Sequence, residues 1–282
     1  MIFALICVIL FILYTCLCSV RDRLTFWKYI ECDMQPRMPY EIIHLQVEEL
    51  QCTEGWILYG PTYDNSNDTL TMICLSGLAS KGFRLELADD LFSLHPNARL
   101  VIYDYYGIGK TKAQYRRSWK LTHAFLDQVR KDVAKFQNKV WILQCVGLVY
   151  FLKNLARQNH VGMSTIGNDR ILVLNGLSDF YISGVDKLAN YPFLFSLART
   201  IFPRSMLKEM NVEEELDEIR RRNIRILAVH SVCNRHVSIQ NGRTIEKHIG
   251  SENYIEVAKM RHTRLTLHEP LQRKKVINFL ES

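Results

Sequence analysis

The sequence predicts an α/β domain on a doubly wound, mostly parallel sheet of about eight strands, with a small helical cap and one transmembrane helix ahead of it. Three observations carry that expectation. From residue 41 onward, short apolar runs alternate with longer amphipathic stretches, the rhythm of strands that helices cover on both faces. The composition permits a large core: 48% of the 282 residues are hydrophobic, 23% are charged, and only 13 Gly and 7 Pro interrupt them. That balance excludes a disordered, collagen-like or low-complexity chain. Finally, Met1 to Val20 holds no charged side chain.

The elements follow in order. About 20 helical residues span the roughly 30 Å of a bilayer's hydrocarbon core, so residues 1–20 read as a membrane anchor. A cleaved signal peptide is the competing reading, because Cys18 and Ser19 are small. It would want a basic leading segment, and nothing positive precedes Arg21. Arg21, Arg23 and Lys28 then place the domain on the cytoplasmic or nucleoplasmic face. Residues 21–40 read as a linker and 41–282 as one domain. Its expected strands are Glu41–Val47, Gly55–Gly60, Leu70–Leu75, Leu100–Tyr105, Val140–Leu143, Ile171–Leu174, Ile224–Val229 and Ile255–Val257. Its expected helices are Phe83–Leu94, Trp119–Phe136, Leu148–Leu155, Arg243–Ile249 and Gln272–Leu280. Leu121, Phe125, Val129, Val133 and Phe136 recur at helical spacing in the second of these. The interval 180–222, aromatic and then charged, breaks the alternation and reads as a helical cap over one sheet edge.

Charge and cysteine usage narrow the partners. The net charge of +7 is spread over 36 basic and 29 acidic residues, so no nucleic-acid partner is expected. The bilayer is the expected partner, with an acyl or lipid substrate, or a protein held by the cap or basic surface. Arg116-Arg117, Arg220-Arg221-Arg222 and Arg273-Lys274-Lys275 read as solvated faces, and Glu213-Glu214-Glu215 as the start of an exposed, salt-bridged helix. The eight cysteines show neither a CxxC pair nor regular spacing, which argues against a zinc site and a disulfide framework. Cys16 and Cys18 fit either S-palmitoylation or the apolar end of the anchor. The sequon at Asn67 matters only for a lumenal domain. His44, His95, His123, His160, His230, His236, His248 and His268 form no ligand-spaced cluster, so neither metal nor cofactor is expected. Gly107–Thr111 ends like a P-loop, but that motif would need glycine at Asp104.

In such sheets, chemistry gathers at the carboxyl ends of the strands. Ser76-Gly77-Leu78-Ala79 follows the third run, Asp104-Tyr105-Tyr106-Gly107-Ile108-Gly109-Lys110-Thr111 the fourth, and Gln144-Cys145-Val146-Gly147 the fifth. His230-Ser231-Val232-Cys233-Asn234 and Lys259-Met260-Arg261-His262-Thr263 follow the last two. This order resembles the α/β-hydrolase superfamily, in particular its membrane-anchored abhydrolase-domain subgroup of short-cap serine hydrolases. The resemblance spans roughly residues 41–282 and is strongest over Asp104–Thr111.

The resemblance implies an α/β-hydrolase fold and a site in one pocket beneath the cap. Cys145 falls at the nucleophile position, Asn234 at the acid and His262 at the base, with Asp179 as an alternative acid. The oxyanion donors would be the backbone N–H groups of Leu78 and Val146. The sequence departs from the pattern: Cys replaces Ser, Asn replaces Asp, Ser76 replaces the histidine of a His-Gly pair, and Leu143 replaces the first elbow glycine. Leu143 is expected to crowd the turn. A thiol, however, is more acidic and more nucleophilic than a hydroxyl, and Cys-His-Asn sets occur on an unrelated protease fold. Two classes stay open on these residues. One is a Cys-nucleophile hydrolase of lipid or acyl-protein esters or thioesters; the other is an inactive hydrolase-fold binding module.

Overall fold

The computed structural model of the chain describes residues 34–47, 51–66, 68–75, 81–104, 119–157, 167–182 and 208–282. Eight strands form a single sheet: β1 (Tyr40–Val47), β2 (Gln51–Tyr59), β3 (Thr71–Leu75), β4 (Arg99–Tyr103), β5 (Lys139–Gln144), β6 (Arg170–Leu174), β7 (Ile226–Ser231) and β8 (Tyr254–Val257). Their order is β1-β2-β4-β3-β5-β6-β7-β8. The β1–β2 and β2–β4 pairs are antiparallel, and every pair from β4–β3 to β7–β8 is parallel. Val140–Leu143 lies in β5, inside the sheet between β3 and β6, as a continuous apolar run requires.

Helices cover both faces. A 3₁₀ turn at Lys81–Arg84 leads into α1 (Leu85–Leu94), followed by α2 (Trp119–Val133), α3 (Gly147–Arg157), α4 (Glu213–Arg221), α5 (Ile239–Ile249) and α6 (Pro270–Glu281). Side chains alternate across the sheet, so one strand feeds two cores. Ile73 and Leu75 of β3 join Phe125, Val149, Leu216 and Ile245 on one face. Met72 and Cys74 join Leu87, Leu91, Val276 and Leu280 on the other. Cys74 is sealed there, and burial pushes its thiol up to about 11.

The structure moves several expected boundaries. β2 starts at Gln51, ahead of the apolar run, because its polar first half pairs with β1 and Thr53 donates its hydroxyl to the Asp104 carbonyl at 2.6 Å. α5 starts at Ile239, since Ser238 caps it by accepting from the Gln240 N–H at 3.2 Å. The helix opened by Glu213 is not simply an exposed charged rod. Leu216 and Ile219 are buried, and Glu215 turns inward to Lys153 of α3 at 2.7 Å. Only its end matches the expectation, with Arg221 and Arg222 both on Glu218.

The anchor at 1–20, the linker as far as residue 33, Asn67 and residues 183–207 of the cap lie outside the described residues. The two sides of the cap interval meet in a β-bridge between Asp179 and Asn211. Among the described residues, no helix is long and apolar enough to cross a membrane, and none of Cys52, Cys74, Cys145 and Cys233 forms a disulfide.

Candidate active site

β5 is central and buried, and the chain leaves it for α3 through Cys145. Cys145 has φ 56°, in the left-handed region that residues other than Gly, Asn and Asp seldom enter. Three backbone bonds hold it there. Its N–H donates to the Leu174 carbonyl at 3.3 Å, and its carbonyl accepts from Leu177 at 3.1 Å and Leu148 at 3.3 Å. Strand, sharp turn and helix thus leave a half-buried thiol at the carboxyl end of the sheet, against the amino end of α3, whose dipole favours a thiolate. Leu143, expected to crowd the turn, is fully buried in the core that also takes in Val146 and Leu148, level with Leu75 of β3 and Val173 of β6.

The loops after β7 and β8 bring the other two candidates together. Asn234 Oδ1 accepts from the backbone N–H groups of His236 at 2.8 Å and Val237 at 3.1 Å. Its Nδ2 lies 3.1 Å from Nδ1 of His262, and the His236 ring packs on the His262 ring with centroids 4.9 Å apart. The His262 carbonyl accepts from Gln144 Nε2 at 2.5 Å and from Asn175 Nδ2 at 3.4 Å. Gln144 directly precedes Cys145, so the His262 loop is fastened beside the turn that carries the thiol.

Asp179, the alternative acid, is buried. Its carboxylate accepts from the Tyr181 N–H at 2.8 Å and from Asn211 Nδ2 at 3.1 Å, across the base of the cap. Asn234 is the residue at Nδ1 of His262. Of the two oxyanion candidates, Val146 is buried directly after Cys145, and Leu78 lies outside the described residues.

Three supporting residues escaped the sequence reading. Gln144 and Asn175 are polar side chains buried at strand ends, and Asn175 has φ 49°. The Asn175-Gly176 pair that ends the sixth run was the available signal, since asparagine tolerates a left-handed turn. Asn175 also accepts from the Ser231 N–H at 3.0 Å, linking the ends of β6 and β7. The third is Lys81, where the described chain resumes after β3. Its Nζ meets Asp104 at 2.8 Å and Glu54 at 2.9 Å, while its N–H donates to Asp104 at 2.6 Å. This buried cluster fastens the start of α1 to the end of β4. No sequence spacing announces it.

A central strand passing through a left-handed residue into a helix, with a histidine after β8 held by a residue after β7, defines the class: the chain has the α/β-hydrolase fold. No protein-family model and no curated protein matches its sequence. Solved structures do match its shape. An esterase from Pyrococcus furiosus shares 14% identity and superposes with a TM-score of 0.58, over 90% of this chain and 97% of its own. An esterase from Rhizomucor miehei gives 0.55 at 13% identity, over 88% of this chain and 84% of its own. A bromoperoxidase from Bacillus anthracis gives 0.53 at 12% identity, over 86% and 100% respectively.

Proposed function

We propose that this chain is a membrane-anchored, thiol-dependent acyl hydrolase acting on lipid or acyl-protein esters or thioesters. Cys145 attacks the acyl carbonyl, His262 is its imidazole partner, and Asn234 orients that imidazole. The N–H groups of Val146 and Leu78 receive the developing oxyanion. The observation that carries this reading is the left-handed backbone of Cys145 at the β5–α3 turn, where the fold presents a nucleophile. The esterase names among the structural neighbours agree with it. The uncharged run 1–20 supplies the anchor, and Arg21, Arg23 and Lys28 keep the domain on the cytoplasmic or nucleoplasmic face.

Thiol reactivity tests the reading. At neutral pH, iodoacetamide is expected to alkylate Cys145 well ahead of the exposed Cys52 and Cys233, and His262→Ala is expected to abolish that lead. Cys145 reacting no faster than those two, with or without His262, would leave an inactive hydrolase-fold binding module. Detergent-dependent extraction checks the anchor, and a glycan on Asn67 would reverse the assigned face.

A further inference from the structure

The hydrogen bonds of Asn234 favour one nitrogen of His262 as the carrier of the ring proton. Asn234 Oδ1 is already occupied by the N–H groups of His236 and Val237, at 2.8 and 3.1 Å. The group presented to His262 is therefore the amide NH₂, which donates only. At 3.1 Å the Nδ1 of His262 must accept, so the neutral ring bears its proton on Nε2. An aspartate in the same turn would do the opposite: one oxygen would take the two backbone N–H groups, and the other would hold an Nδ1–H.

Two consequences follow for the chemistry. The ring has no lone pair on Nε2 with which to take a proton from a nucleophile. Its imidazolium form would also set Nδ1–H against an amide N–H. His262 is thus a hydrogen-bond donor and a poor general base, and a leaving group at this site has to depart without being protonated. A thiolate does so readily, since thiols ionise near pH ~8.5. An alkoxide does not, because hydroxyl groups such as that of water ionise only near ~15.7.

From these contacts we infer that the substrates of this site are thioesters rather than oxygen esters, a step that rests on Cys145 being the nucleophile. Cys145 gives its thiol proton to solvent, and its thiolate is stabilised by the Nε2–H of His262 and the amino end of α3. The sulfur forms a bond to the acyl carbon, the oxyanion collapses, and the C–S bond to the departing group breaks with its electron pair. The products are acyl-Cys145, itself a thioester, and a free thiolate. Release of the acyl group to water draws on hydroxide or a solvent base and completes the hydrolysis; release to a second thiolate needs no base and is the faster of the two.

The test compares a short-chain acyl thioester with the matched oxygen ester on the full chain, by mass spectrometry of acyl-Cys145. Wild type is expected to be acylated by the thioester alone and to discharge to added thiol faster than to water. Asn234→Asp keeps the turn, and it is expected to raise acylation by the oxygen ester by about 100-fold or more, the usual worth of general acid–base catalysis. Equal ester-to-thioester ratios in wild type and Asn234→Asp would overturn the inference. Nitrogen-15 chemical shifts of His262, assigned with His262→Gln, read the tautomer without any turnover. A proton on Nδ1 in the wild-type protein overturns the inference even where Cys145 proves reactive. A proton on Nε2 with no acylation of either variant removes the nucleophile reading, and the substrate assignment with it.

Discussion

Gln144 donates its side-chain amide to the backbone carbonyl of His262 at 2.5 Å. The residue that precedes the thiol thereby holds the loop that carries the imidazole, and the two cannot shift independently. Gln144→Leu is expected to cost about 1–3 kcal/mol of stability, because the His262 carbonyl loses its strongest buried donor. It should also bring Cys145 alkylation down to the rate of Cys52 at every pH from 6 to 9. A variant that melts early yet keeps the wild-type pH profile of alkylation would assign Gln144 a purely structural role.

The Lys81 cluster is open to a direct test by single substitution. Lys81 is buried beneath Trp56, with its ammonium 4.8 Å from the ring centroid and between Glu54 and Asp104. Lys81→Met would take the ammonium from the buried Asp104 carboxylate and the half-buried Glu54, a loss of about 3–5 kcal/mol. Adding Asp104→Asn should recover part of it, so the two changes should be far from additive in urea denaturation. Additive losses would show that the charges do not act as a unit.

Acid should weaken the domain through His230. Burial lowers its pKa to about 4, against an ordinary value of 6.5, and its Nδ1 has no hydrogen-bond partner among the described residues. Between those values the unfolded chain binds the extra proton and the folded chain does not. The contribution is complete above pH 6.5 and is lost as pH falls to about 4, on the order of 3 kcal/mol in all. His230→Phe should flatten that limb of the stability–pH curve. An unchanged slope would place the acid sensitivity elsewhere.

Periodicity located the sheet because Ile73, Val101, Trp141 and Val173 had to be apolar to lie between helices. It missed the first half of β2, where Thr53 is buried by virtue of a hydrogen bond rather than its hydropathy. It read Glu215 as solvent-facing because the partner, Lys153, lies on a different helix. The candidate site divides in the same way. The family resemblance pointed to Cys145, Asn234 and His262 after β5, β7 and β8, and the structure sets Asn234 beside His262. Gln144, Asn175 and Lys81 were not legible in the sequence, because a buried polar residue is explained by a partner that chain order does not reveal.

The left-handed turn at Cys145 makes stability and reactivity separately measurable at one position. Cys145→Ala removes the sulfur and leaves a Cβ in the unfavourable backbone region; Cys145→Gly removes both. Relief of a single left-handed residue is worth about 1–2 kcal/mol, and glycine's greater freedom in the unfolded chain returns roughly 0.5–1 of it. The glycine variant should therefore melt at or above the alanine variant. That margin measures how much folding free energy the turn withholds to keep a side chain in place, and no substrate has to be known to read it.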